Sequence, residues 1–106
     1  MNGPGDASNP PDDQSAFPVT RVVEIVNKKG LHARASAKFV QIAETFDAAI
    51  TVTRGNESVG GTSIMGLMML AAGPGSSITV AATGVQAEDA VDALCTLVTS
   101  GFGEED

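Results

Sequence analysis

The stretch Val23-Glu24-Ile25-Val26-Asn27-Lys28-Lys29-Gly30-Leu31-His32-Ala33-Arg34-Ala35-Ser36-Ala37-Lys38-Phe39-Val40 changes its hydrophobic rhythm partway along. Val19 to Val26 is rich in β-branched residues and reads as a strand, with Val23 and Ile25 facing the core. From Ala33 onward, Ala35, Ser36, Phe39, Val40, Ala43 and Phe46 recur at helical spacings and form one face. Asn27 to Gly30 is the turn between the two periods. The only histidine, His32, therefore falls at the start of a helix. Backbone N–H groups there lack intrahelical partners and converge, which suits a bound phosphoryl group.

The chain downstream keeps alternating between the two periods. Ala48, Ile50 and Val52 alternate with Ala49, Thr51 and Thr53, the pattern of a half-buried strand. Arg54-Gly55-Asn56-Glu57 is a hairpin turn, and Ser58 to Gly60 is a short returning strand. Ser63 is a good N-cap for a short apolar helix ending at Leu70. Gly73-Pro74-Gly75 breaks the chain. Ile78, Val80 and Ala82 mark a last strand. Ala87, Ala90, Val91, Leu94, Leu97 and Val98 form the stripe of a final helix, with Glu88, Asp89 and Asp92 near its positive end. The order is β-α-β-β-α-β-α. Strands that alternate and helices with one apolar face are both satisfied by an α+β fold. The expected form is a four-stranded antiparallel sheet covered on one face by three helices, an open-faced sandwich.

Residues 1–17 carry three of the five prolines, with Gly, Ser, Asn and Asp between them, and read as a disordered tail. The folded domain is expected over 18–103. Glu104-Glu105-Asp106 reads as a frayed acidic end.

At 106 residues and 42% hydrophobic content, the chain can form one domain with a modest core. Its net charge of −7 makes nucleic acid and anionic membranes poor partners. No apolar run approaches the roughly 20 residues needed to span a bilayer. The N-terminus has no signal-peptide pattern, and the single Cys95 excludes an internal disulfide. These features read as a soluble, cytoplasmic monomer. Cys95, beside the Leu94–Val98 stripe, reads as a small packed side chain.

Four of the six basic residues, Lys28, Lys29, Arg34 and Lys38, cluster around His32, and no acid lies between Glu24 and Glu44. The neighbourhood is thus locally cationic within an acidic protein, as an anion or acidic-partner site requires. A lone histidine in an arbitrary domain is more often structural. Here the competing chemistries lack their parts. No second histidine or carboxylate cluster supports a metal site. No Gly-x-Ser-x-Gly elbow supports a triad, and Gly55, Gly60 and Gly61 do not make a P-loop. What remains is a histidine that is itself a covalent acceptor. A neutral imidazole is a nucleophile toward phosphorus, and histidine titrates near about pH 6.5. A helix N-terminus and Arg34 would both favour the attached dianionic phosphoryl group.

The segment Gly30-Leu31-His32-Ala33-Arg34-Ala35-Ser36-Ala37-Lys38-Phe39-Val40 resembles the active-site segment of the histidine-containing phosphocarrier (HPr) family of bacterial phosphotransferase systems. The similarity covers about residues 19–102. The resemblance implies that His32 accepts a phosphoryl group at Nδ1 from enzyme I, itself charged from phosphoenolpyruvate. His32 would then pass it to a type IIA protein, with Arg34 helping to position the group and no cofactor needed. The protein would be a covalent intermediate and not an enzyme. Ala35 stands where the family often has proline, and alanine is familiar in its nitrogen-related branch, which points to a regulatory relay more than to sugar transport. Ser63 falls on the family's regulatory serine, so a serine kinase is a further implied partner. Met65 and Gly66 replace the Lys and aromatic residue of many relatives. With Ile64 and Met68, Met65 would form an apolar docking patch beside the basic residues Lys28, Lys29 and Lys38. An alternative reading is a regulatory binding module, its partner choice set by phosphorylation of His32 or Ser63 without onward transfer.

Overall fold

The computed structural model of the protein describes residues 17–104. The expected tail therefore lies outside the described residues except for Phe17, which is exposed, and so do Glu105 and Asp106.

The elements follow the order read from the periodicity. They are β1 (Val19–Glu24), α1 (Ala33–Ala43), β2 (Ala49–Arg54), β3 (Glu57–Gly60), α2 (Ile64–Met69), β4 (Ser77–Thr83) and α3 (Ala87–Thr99), followed by a 3-10 turn at Gly101–Gly103. The strands form one sheet in the order β1-β4-β2-β3, with every pair antiparallel. β1 ends two residues earlier than its composition suggests. Ile25 still exchanges backbone bonds with the 75–76 segment, but Val26 is exposed as the chain swings into the Asn27 turn.

Alternation decides which side of the sheet is covered. Val23, Ile50, Val52, Ile78, Val80 and Ala82 point into the core. They meet Ala35, Phe39, Val40 and Ala43 of α1, Leu67 of α2, and Ala90, Val91, Leu94, Cys95 and Val98 of α3. The opposite sheet face carries Thr20, Val22, Ala49 and Thr51 and is open to solvent. An Arg21–Asp92 ion pair of 2.7 Å ties β1 to α3 across its edge. Phe46 is only half-buried, because α1 has already ended at Ala43. Cys95 packs in the core, and burial there raises its thiol pKa, opposed by nearby Arg21.

Gly66 costs helix stability in principle, by about 1 kcal/mol relative to alanine. Its environment supplies the reason: an added Cβ would stand 2.9 Å from both Val59 Cβ and Ser63 Oγ. The glycine lets the six-residue α2 lie directly on β3. Arg54, at the end of β2, donates to the carbonyl of Leu70 at 3.1 Å and so caps the far end of α2.

Candidate functional site

The turn after β1 sets the position of His32. Asn27 and Gly30 close it with a backbone bond of 3.2 Å, and Gly30 adopts φ +62°. A side chain at Gly30 would place its Cβ 2.2 Å from the Ala72 carbonyl oxygen. Only glycine lets this turn press against the segment after α2, where Leu31 N–H donates to that same carbonyl at 3.0 Å. Leu31 is thereby buried, and His32 emerges as the N-cap of α1 with extended backbone.

The His32 side chain makes no cap bond to its own helix. Its carbonyl accepts the first helical bond from Ser36 N–H at 2.8 Å. The N–H groups of Ala33, Arg34 and Ala35 have no partner among the described residues. These are the orphan donors of a helix start, free to meet an anion placed beside the imidazole. Arg34 is exposed and makes no side-chain bond among the described residues, so its guanidinium is available to the same anion.

The imidazole instead reaches an acid that the sequence reading set aside. His32 Nε2 lies 2.5 Å from Glu104 Oε2, with the histidine side chain 25% and the glutamate side chain 13% exposed. Glu104 is thus no part of a frayed end. The Gly101–Gly103 turn folds the chain back after α3, and Phe102 is fully buried as its anchor. The carboxyl of Glu104 is held below the usual carboxylate range, first by the hydrogen bond from His32, then by that from Asn27 and by the charges of His32 and Lys38. Loss of solvation opposes this shift. An ionised carboxylate only accepts hydrogen bonds, so Nε2 is the donor in this contact, and in the neutral imidazole the lone pair belongs to Nδ1.

Asn27 holds the other oxygen of that carboxylate. It is 1% exposed. Its Nδ2 donates to the Gly30 carbonyl at 2.9 Å and to Glu104 Oε1 at 3.1 Å. Two acceptors facing one end of the amide require the nitrogen there. The amide oxygen has no hydrogen-bond partner among the described residues, a feature that costs on the order of 1–3 kcal/mol in a buried site.

The other expected site residues distribute as follows. Lys28 and Lys29 are exposed on the turn. Lys38, on α1, donates to the Phe102 carbonyl at 2.8 Å. Ser63 is the exposed N-cap of α2 and accepts from Gly66 N–H at 3.0 Å. Ile64, Met65, Met68 and Met69 are exposed on α2, Met65 at 68%, while Leu67 alone carries the helix into the core. Among the described residues no cluster of three or more His, Cys, Asp or Glu could hold a metal ion, and no helix is long and apolar enough to cross a membrane.

Asn27 and Glu104 are the site residues that sequence reasoning missed. The available signal was Gly101-Phe102-Gly103, in which a large apolar residue between two glycines announces a tight, buried turn.

A helix-capping histidine with orphan N–H groups and an exposed arginine beside it makes a candidate anion site on an open-faced α+β sandwich. Comparison with known proteins gives the family. Residues 19–100 match the family described as PTS HPr component phosphorylation site, and the chain belongs to this phosphocarrier family. It is 48% identical to the phosphocarrier protein HPr of Cupriavidus necator over 79% of this chain and 94% of that protein. It is 45% identical to the phosphocarrier protein NPr of Shewanella violacea over 79% of this chain and 92% of that protein. Among solved structures, HPr-C-His from Thermoanaerobacter tengcongensis superposes with a TM-score of 0.79 at 43% identity, covering 83% of this chain and 99% of that one. Similarity to both HPr and NPr proteins makes the nitrogen-related branch a plausible place for it within the family.

Proposed function

We propose that the protein accepts a phosphoryl group on Nδ1 of His32 from enzyme I, charged from phosphoenolpyruvate, and passes it to a type IIA protein, in a regulatory relay. The observation that carries this reading is the Nε2–Glu104 hydrogen bond, which makes Nδ1 the nucleophilic nitrogen of the neutral ring. In the forward step the Nδ1 lone pair forms the N–P bond as the bond from phosphorus to the donor breaks. The Nε2 proton stays in place, hydrogen-bonded to Glu104. The unphosphorylated and phosphorylated states of His32 are therefore served by one arrangement. The three N–H groups at the start of α1 and the guanidinium of Arg34 neutralise the transferring oxygens, which is most of what phosphoryl transfer asks of a protein. The reverse order of events discharges the group to the acceptor. Nothing in this chemistry requires a metal or cofactor from this chain.

Ser63 supports the regulatory side of the reading. Its hydroxyl is exposed at the N-cap of α2, beside the exposed Ile64 and Met65. A serine kinase acting there would place a dianion in the apolar docking patch and repel acidic partners. Incubation with enzyme I and phosphoenolpyruvate, followed by intact mass measurement, tests the carrier step. One acid-labile phosphoryl group is expected on the protein, none on His32→Ala, and loss of the group on addition of a type IIA protein. Undiminished acid-labile label on His32→Ala would overturn the assignment. A label that no acceptor removes would favour the binding module over the carrier.

A further inference from the structure

We propose that Lys38 and Asn27 are positioning residues for phosphoryl transfer, acting on His32 only through Glu104. This inference rests on the carrier reading and extends it to residues that do not touch the reacting group. Glu104 follows a turn that has no inherent reason to persist. Gly101, Phe102 and Gly103 all have positive φ, at 69°, 59° and 71°. For phenylalanine this is a disfavoured conformation, and it survives only where the surroundings fix it. Two things fix it here. The Phe102 ring is buried in the core, and Lys38 Nζ holds the Phe102 carbonyl from α1. Asn27 then clamps Glu104 Oε1 from the opposite side, within the turn that delivers His32.

The clasp therefore joins the two ends of the domain at one carboxylate, with Lys38 on α1, Asn27 after β1 and Glu104 after α3. Asn27 shows what is exchanged for this. Its donor half is fully used, while its buried amide oxygen has no partner among the described residues. A side chain kept for packing alone would not need such an atom. Lys38 was expected to be a docking lysine exposed to acidic partners. Its ammonium is instead committed to the Phe102 carbonyl, and its charge contributes to keeping Glu104 ionised. The charged groups around His32 are Glu104 from the C-terminal turn, Arg34 and Lys38 from α1, and Lys28 and Lys29 from the turn before it. Of these, Glu104 alone accepts the ring proton. Loosening its clasp should release Nε2, so that part of the population carries the proton on Nδ1, where it blocks the nucleophile, and the ring loses its fixed orientation.

The test compares Lys38→Met, Lys38→Arg and Asn27→Ala, each alone and with Glu104→Ala. Imidazole nitrogen NMR on the unphosphorylated protein reads the tautomer ratio, and rapid-quench kinetics with enzyme I reads transfer. In the wild type the Nε2–H tautomer should predominate. Lys38→Met and Asn27→Ala should each raise the Nδ1–H fraction several-fold and, mainly through the lost orientation of the ring, slow transfer roughly tenfold. Lys38→Arg should restore both. Combined with Glu104→Ala, neither should slow transfer further, because both act through that residue. If Asn27→Ala fails to fold, the partly exposed Lys38 carries the test alone. An unchanged tautomer ratio in Lys38→Met would overturn the proposal. So would slowing that simply adds to that of Glu104→Ala, which would mark Lys38 as a docking residue. If the wild type takes no phosphate from enzyme I, the carrier reading fails on its own. The tautomer ratios still decide whether the clasp sets the proton.

Discussion

At the scale of single residues, the proposed carrier site would divide labour between a nucleophile, its proton holder and an exposed cation. His32 has Nε2 occupied and Nδ1 open, and Arg34 has no competing partner among the described residues. An exposed, unpaired arginine contributes little to folding. Arg34→Ala should therefore shift the melting temperature by no more than a degree or two, equivalent to less than about 0.5 kcal/mol. It should slow transfer by about ten- to a hundredfold, as loss of a charge-assisted bond to the transferring oxygens would. Rapid-quench kinetics beside a thermal melt checks both halves, and an unaltered transfer rate would remove Arg34 from the site.

At the scale of elements, the periodic segments were legible and the aperiodic ones were not. Alternation located β2 and β4, and helical spacing located α1 and α3, because each buries one face against a single core. The helix start at His32 followed from the change of period between Ile25 and Ala35. The short α2 was legible through its Ser63 cap, and its exposed methionines follow from a six-residue helix having only Leu67 to bury. The Glu104–His32 contact had no comparable signature. It joins residues 72 apart through a three-residue turn whose dihedrals reflect tertiary packing and not local preference. The absence of acids between Glu24 and Glu44 described the segment correctly and the site incompletely, since the fold imports one from the far end of the chain. The exposure of α2 carries its own prediction. Met65→Glu places a charge in solvent and not in the core, so the melt should move by less than about 0.5 kcal/mol in stability. Affinity for enzyme I, by titration calorimetry, should fall at least several-fold if this helix docks. A normal melt with unaltered affinity would exclude α2 from the docking surface.

At the scale of the whole molecule, the C-terminal turn couples the site to folding. Glu104 has its carboxyl held down in the folded protein, chiefly by His32, relative to an ordinary value of 4.5. A depressed carboxyl contributes stability that is fully present above its unfolded value and is lost as pH falls through the folded one. Glu104→Gln should therefore melt at a lower temperature than the wild type near neutral pH, with the gap closing as pH falls below about 4.5. Melting curves of the two proteins across that range provide the check. A gap that stays constant with pH would mean that the carboxylate charge plays no part. Residues 1–17 are expected to be dispensable, because among the described residues the strands and the buried core lie between Val19 and Phe102; a chain starting at Pro18 should keep its melting temperature within a degree or two.

In the proposed carrier the phosphoryl group forms its bond at Nδ1 of His32 while Glu104 holds the proton on Nε2. Nitrogen-labelled protein, charged with phosphoenolpyruvate and enzyme I, allows the imidazole nitrogens to be observed directly. The expected result is phosphorus coupling at Nδ1, a proton retained on Nε2, and no phosphorylated species in His32→Ala. Coupling at Nε2 would contradict it, because that nitrogen faces Glu104 in the folded protein.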